Sequence, residues 1–312
     1  MIIEKTLHYP LVSIFIPTYN DQTDLLACLE TIRLLDYPKE KIEILIWDNA
    51  SQDNTVGMVR QLYDKMAGEG WFNLSLIEWE KNEGSYIPYN LALPYFSVEC
   101  EYVLGLDADV ELSPDALTNM INAIQINHIA VVGARSVYFE KPDKTSHGAG
   151  FVNLWTGRYI QKDVRKRVSC DYVIGCCWLL KKEIFTKLGF FDPHYYINHW
   201  EVDYCLRAKR KGYSIVYEPA AIAKHKISDR GTLTLERIYY LYRNKLFLMK
   251  NNFPFPQKWI SMALYAFLWL PKAIVNSIFR NKQVHSQEIK TILRAMTDGC
   301  LNRGGRKQTP QS

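Results

Sequence analysis

Four short apolar runs, at residues 11–16, 42–47, 74–79 and 102–106, each end in polar residues and are separated by segments with apolar side chains at helical spacing. In the segment 24–35, Leu25, Leu26, Leu29, Ile32 and Leu35 fall on one helical face. A strand that is apolar at successive positions, rather than alternate ones, has to be covered on both sides. The pattern predicts an α/β fold, a mainly parallel sheet flanked by helices. Further helices are predicted near 54–67, 87–93 and 113–127, and a fifth strand starts at 130–133. In open sheets of this kind ligands bind outside the carboxyl ends of the strands. The residues that follow the runs are therefore expected to converge: Thr18-Tyr19-Asn20, Asp48-Asn49, Asn82-Glu83-Gly84, and Asp107 with Asp109.

The second half is less regular. Gly148, Gly150 and Gly157 punctuate a hairpin, and an apolar segment at 173–180 is entered through Gly175. A turn at 189–193, a helix at 202–210 stopped by Gly212, and a strand at 213–218 follow. Residues 258–279 are apolar and aromatic but carry Pro271-Lys272 in their middle, with Lys258, Arg280 and Lys282 at the flanks. A spanning helix needs about 20 apolar residues. The central Pro-Lys argues instead for helix lying in a membrane interface, with a buried helix hairpin as the alternative.

A net charge of +5 over 312 residues lacks the strong basic bias of a nucleic-acid-binding protein, so no nucleic acid is expected as partner. Seven cysteines without a Cys-x-x-Cys pair or zinc spacing point to reduced, mostly buried thiols in a cytoplasmic setting. The first ten residues do not read as a signal peptide.

Asp107-Ala108-Asp109 closes an apolar strand with two carboxylates. Oxygen ligands suit Mg²⁺ or Mn²⁺, ions that keep waters and bridge substrate phosphates. Aspartates also favour turns, so the pair alone leaves both readings open.

Taken in order, Pro17-Thr18-Tyr19-Asn20, Asp48-Asn49-Ala50-Ser51, Asn82-Glu83-Gly84 with Asn90, and Asp107-Ala108-Asp109 resemble the motifs of family 2 glycosyltransferases of the GT-A fold. Gly175-Cys176-Cys177-Trp178 resembles the family's acceptor-side segment, and Trp200-Glu201-Val202-Asp203 its Glu-Asp-x-Asp motif. Residues 239–244 and 289–305 resemble the rhamnosyltransferase-like branch. The resemblance covers nearly the whole chain and divides it into a GT-A domain at 1–235, with a nucleotide-sugar half to about 130 and an acceptor half from about 131, and a helical, membrane-associating tail at 236–312.

The resemblance implies inverting transfer of a sugar from a nucleoside diphosphate, a dTDP- or UDP-sugar, to a hydroxyl of a glycan or lipid-linked acceptor at the inner face of the cell membrane. It makes Asp109 the first metal ligand, with His225 beside it, and Asp107 a contact to ribose or a metal-bound water. Pro17, Thr18, Tyr19, Asp48, Asn82, Gly84 and Asn90 take donor-side positions, and Gly175, Cys176 and Trp200 acceptor-side ones. Glu201 is the candidate general base, with Asp203 the second choice; Asp203 is also placed to pair with Arg207 one helical turn on. The chain departs from the motif at Trp200, which replaces the first acid, and at Glu201, which lengthens the second. Lys224, Lys226 and Arg230 are candidates for neutralising phosphate. Two rival readings remain at this stage: a nucleotidyltransferase, which would need a Gly- and Lys/Arg-rich loop after the first strand where Pro17-Thr18-Tyr19-Asn20 stands, and a non-catalytic sugar-nucleotide-binding protein.

Overall fold

The computed structural model of the protein describes residues 9–126, 128–226, 234–280 and 285–306. The first half carries the expected alternation: β1 (Val12–Thr18), α1 (Gln22–Arg33), β2 (Ile42–Asp48), α2 (Thr55–Met66), β3 (Asn73–Glu78), α3 (Ile87–Ala92) and β4 (Tyr102–Leu106). β1 pairs in parallel with β2 and β4, and β2 with β3. Val12, Ile14, Ile16, Ile44 and Ile46 share one core with Leu25 and Leu29 of α1 and Val59 and Leu62 of α2. Phe15, Leu45, Trp47 and Val103 belong to a second core, rich in aromatics such as Tyr89 and Trp178. Burial on both faces is the reason these runs show no polar alternation.

The chain continues through β5 (Val110–Leu112), α4 (Ala116–Ile124), β6 (Ile129–Tyr138) and β7 (Lys141–His147). The hairpin β8 (Ala149–Asn153)–β9 (Arg158–Lys162) turns at Gly157, whose φ of 66° suits glycine. Then come β10 (Val168–Cys170), β11 (Cys177–Lys181), α5 (Lys182–Leu188), α6 (Trp200–Arg210) and β12 (Ser214–His225). The main sheet has ten strands in the order β10-β12-β6-β11-β4-β1-β2-β3, with β5 on β12 and β7 on β6. β11 lies between β4 and β6 and is antiparallel to both. The parallel arrangement thus holds for β1 to β4 and for β6 with β12, and the sheet as a whole is mixed. Periodicity reports which residues are buried, not which way a strand runs.

β12 continues past the expected end at Glu218 to His225. A register shift between Glu218 and Ile222 accommodates Pro219, and an irregularity of this kind is where a sheet tolerates a proline. The extension pairs His225 with Val110 of β5, beside Asp109.

The C-terminal part is helical: α7 (Leu235–Asn252), α8 (Gln257–Leu264), a π-helical turn at Tyr265–Trp269, α9 (Leu270–Arg280) and α10 (His285–Cys300). Tyr239 and Tyr240 of α7 pack with Ala295 of α10. The 258–279 run is not interrupted at Pro271. The wider π turn precedes the proline, and such turns absorb a break in the regular hydrogen-bond ladder. Among the described residues no helix is long and apolar enough to cross a membrane. Tyr265 is buried, whereas Phe255, Trp259, Phe267 and Leu268 are exposed, so the region is not a buried hairpin. None of the seven cysteines is in a disulfide; six are buried and Cys300 is exposed.

Candidate active site

A cleft of about 660 Å³ opens at the carboxyl ends of β1, β2 and β4. The loops that follow these strands are laced to one another. Asn49 N–H donates to the Thr18 carbonyl at 2.9 Å, Asn20 N–H to Ser51 Oγ at 2.9 Å, and Gln52 N–H to Asn20 Oδ1 at 2.7 Å. Asn82 Oδ1 accepts from Gly84 N–H at 2.9 Å, closing a tight turn in which Gly84 has a φ of 86°. That backbone conformation suits glycine, and Tyr196 lies against the turn.

Pro17, Thr18, Tyr19, Asn82, Gly84 and Asp107 line the cleft, as do Asp109, His225, Gly175, Cys176, Trp200 and Glu201. Thr18 Oγ1 is buried without a partner. Asp48 is buried at the end of β2. Its Oδ2 accepts from Ser51 N–H at 3.0 Å, while Oδ1 has no partner. Two expected site residues are turned to other work. Asn90 donates to the Phe191 carbonyl and accepts from Phe191 N–H, both at 2.9 Å, so its amide is spent on pinning one backbone segment. Asp203 is buried, with Arg207 Nε at 2.8 Å, Asn252 Nδ2 at 2.7 Å and Tyr195 Oη at 3.1 Å. Both oxygens are occupied by fixed donors, the arrangement of a structural anchor, and the Arg207 contact is the pairing expected one helical turn on.

Asp107, Asp109 and His225 place their ligand atoms within 4.8 Å of one another. His225 Nε2 stands 3.2 Å from Asp109 Oδ1. Burial raises Asp107 to about 7, with the His225 charge opposing and Asp109 adding. Burial works against a charged His225, but hydrogen bonds to Asp109 and Cys176 outweigh it and raise its pKa. Two carboxylates and an imidazole, partly buried and close-set, are a donor set that fits a divalent cation. Lys226 is held by Asp24 at 3.0 Å and Glu111 at 3.3 Å, and Lys224 is exposed, so neither is aimed at the cleft. Arg230 lies outside the described residues. Among the described residues the lysine or arginine that lines the cleft is Arg237 of α7.

Glu201 stands in the first turn of α6. Its Oε2 is buried without a partner. Burial raises its pKa to about 7, and the Asp107 charge adds to the effect. Trp200 stacks on Tyr86 at a centroid distance of 5.3 Å and lies edge-on to Trp178. A Cβ on Gly175 would come within 2.7 Å of the Trp200 ring, so only glycine lets this wall close.

The segment leading into α6 is strained. Tyr196, Asn198 and His199 all have φ near +60° (61°, 59° and 68°), a region costly for side chains larger than glycine. Arg243 and Asn244 of α7 hold it. Arg243 donates to the His194 carbonyl at 2.8 Å and the Tyr195 carbonyl at 3.1 Å. Asn244 Nδ2 reaches the carbonyls of Tyr195, Ile197 and Asn198 at 2.7, 2.6 and 3.1 Å. Sequence reasoning missed Asn198, Arg237 and His147 as cleft residues. The arginine-asparagine pair in 239–244 was the signal for the first, since a buried Arg-Asn step has to find carbonyl partners. For Arg237 and His147 no local signal exists.

The model of glycosyl transferase family 2 matches residues 13–189. The chain belongs to that family. Glycosyltransferase AglE of Haloferax volcanii is 26% identical over 224 residues, covering 72% of this chain and 69% of its own. A dolichyl N-acetyl-glucosaminyl phosphate glucuronosyltransferase of Methanococcus voltae is 39% identical over 114 residues, about a third of each chain (36% and 34%). Mannosyltransferase PcManGT of Pyrobaculum calidifontis, solved with GDP-Man and Mn²⁺, superposes with a TM-score of 0.61 over 95% of this glycosyltransferase and 89% of that one. At 16% identity this shows a shared fold, GT-A.

Proposed function

We propose that this glycosyltransferase moves a sugar from a nucleoside-diphosphate donor to a hydroxyl of a glycan or lipid-linked acceptor, with inversion at the anomeric carbon. The observation that carries this reading is one cleft holding both the Asp107–Asp109–His225 set and the unpartnered Glu201 carboxylate. PcManGT, with its GDP-Man and Mn²⁺, supports the donor class, and the Methanococcus enzyme, by its name, the lipid-linked acceptor.

In this reading Asp109 and His225 hold Mn²⁺ or Mg²⁺, which when bound would neutralise charge on the departing diphosphate, with Asp107 beside them to contact the ribose or a metal-bound water. The unpartnered Asp48 Oδ1 and Thr18 Oγ1 are satisfied by the nucleoside, and the Tyr19 ring covers the base. Asn82 and Gly84 shape the donor side; Gly175, Cys176 and Trp200 shape the acceptor side. Glu201 takes the proton from the attacking hydroxyl. A base has to be ionised at working pH and still basic enough to accept a proton, and a carboxylate titrating near 7 meets both conditions. The nucleoside part of the donor site belongs to the half up to about residue 130 and the acceptor site to the half from about 131 to 235, from which His225 reaches the metal.

The exposed Phe255, Trp259, Phe267 and Leu268, with Lys258 and Lys272 nearby in sequence, support docking of α8, the π turn and α9 on a membrane surface. Flotation with anionic vesicles tests this: Trp259→Glu with Phe267→Glu is expected to stay at the bottom of the gradient while wild type floats.

The transfer reading is tested by incubating the protein with a panel of sugar nucleotides, Mn²⁺ and lipid-phosphate glycan acceptors, and reading the product anomer by NMR. An inverted product that disappears in Asp109→Ala is expected. A product with the donor's configuration rules out single displacement, and nucleotide binding without turnover under any condition supports the non-catalytic reading instead.

A further inference from the structure

A second cavity, of about 380 Å³, lies on the other side of the 198–201 segment. Arg158 of β9, His199, Lys245 of α7 and Trp269 of the π turn line it, together with Tyr159 and Tyr242. His199 faces this cavity while its neighbours Asn198, Trp200 and Glu201 line the cleft. The two sites therefore share one wall.

The chemistry of the lining is one-sided. Lys245 Nζ sits 5.2 Å from the Tyr159 ring centre and 4.9 Å from that of Tyr265, and Arg158 is 5.4 Å from the Trp269 ring. Among the described residues neither cation has a carboxylate partner, and no acid lines the cavity. Lys245 is half-buried, and burial together with the Arg158 charge lowers its pKa to about 8. Tyr159 Oη, Trp269 Nε1 and His199 Nδ1 are buried without partners. A half-buried lysine and an exposed arginine, neither with a carboxylate partner among the described residues, join a phenol and an indole N–H in a donor-rich pocket. An ammonium partly withdrawn from water and without a carboxylate partner is held at a cost that an anion would relieve. Beside the cavity, Phe267 and Leu268 of the same π turn as Trp269 are exposed.

We propose that this cavity binds the phosphoryl headgroup of an amphiphile, the phosphate of a lipid-linked acceptor, with its apolar chain running over Phe267 and Leu268. Resting on the transferase reading, this places the acceptor's hydroxyl-bearing end across the His199 wall from its phosphate, at Glu201. A phosphoryl group with several oxygens meets an arginine fork, a lysine and the neutral donors at once. The aromatic rim takes the chain's first methylenes.

The test uses the full chain and three soluble probes: octyl phosphate, octanol and inorganic phosphate. Binding is followed by calorimetry and by tryptophan fluorescence. Octyl phosphate is expected to bind saturably and at least tenfold more tightly than either fragment, and Arg158→Gln and Lys245→Met are each expected to weaken it tenfold or more. Arg158 lies at an exposed position of a hairpin strand, so its variant should melt close to wild type and serves as the check on folding. Inorganic phosphate binding as tightly as octyl phosphate overturns the amphiphile in favour of a free anion. Octyl phosphate binding unchanged in both variants overturns the cavity itself. Thermal shifts with nucleoside diphosphate and Mn²⁺ are recorded on the same variants. Normal shifts with lost octyl phosphate binding isolate this site, whereas octyl phosphate binding without any nucleotide shift leaves this site standing and counts against the donor site.

Discussion

Replacing Glu201 with glutamine makes activity and stability move in opposite directions, and the structure sets how far. The amide keeps the shape of the protonated acid but cannot ionise. Glu201 titrates near 4.5 in an unfolded chain and near 7 in the fold, because burial penalises the charged form. Below pH 4.5 the carboxyl is protonated in both states and costs nothing. Between 4.5 and 7 the unfolded chain sheds the proton while the folded one retains it, so stability falls as pH rises. Above 7 the full penalty stands, and the distance from 4.5 to about 7 converts to roughly 3 kcal/mol at about 1.36 kcal/mol per pH unit. Urea unfolding without divalent cations, from pH 4 to 9, should therefore find Glu201→Gln level with wild type at the acid end and more stable by up to roughly 3 kcal/mol at the basic end. Transfer by the same variant should fall about 10²–10⁴-fold, and the wild-type rate should rise with pH through about 7. Two results refute the reasoning: a stability difference that does not depend on pH, or a variant that retains most of its activity. The first would mean that Glu201 is not held in a desolvated place; the second, that another group takes the proton.

Three further outcomes follow from the same geometry. Asp109→Ala and His225→Ala are expected to lose the Mn²⁺-dependent part of the thermal shift given by nucleoside diphosphate, a stabilisation of about 2.7 kcal/mol when the ligand stands at 100 times its dissociation constant; an unchanged shift would place the ion elsewhere. Gly175→Ala drives a methyl to 2.7 Å from the Trp200 ring and should cost about 1–3 kcal/mol in urea unfolding, as overpacked sites do, with transfer falling alongside. Asn244→Ala leaves buried carbonyls in the 195–198 segment short of a donor, at about 1–3 kcal/mol; faster amide exchange there, with the β1–β4 core unchanged, is the expected signature, and uniform exchange across the chain would deny the staple its local role.

Much of this architecture could be read from the chain alone. The doubly buried runs announce a covered sheet. The polar residues at their ends announce a cleft, because strand ends in such sheets point the same way. Asp107-Ala108-Asp109, Glu201 and the glycines at 84 and 175 stand out because few residue types meet their local demands. That information sits within one element and its neighbours, where spacing and side-chain chemistry suffice. Tertiary packing decided the rest. Glu201 and Asp203 share the first turn of α6, and the sequence makes Glu201 the first candidate base and Asp203 the second; Asn252, Tyr195 and Arg207 claim Asp203, while Glu201 lines the cleft. Asn90 looks like a donor ligand until Phe191, a hundred residues on, takes its amide. His225 reaches Asp109 only because β12 runs past Pro219 and pairs with β5. Arg158 and Lys245 meet only because a hairpin and a distant helix pack against each other. Local pattern tells which face of an element is buried; which distant side chain satisfies a polar group there depends on how the elements pack, and spacing along the chain does not encode that.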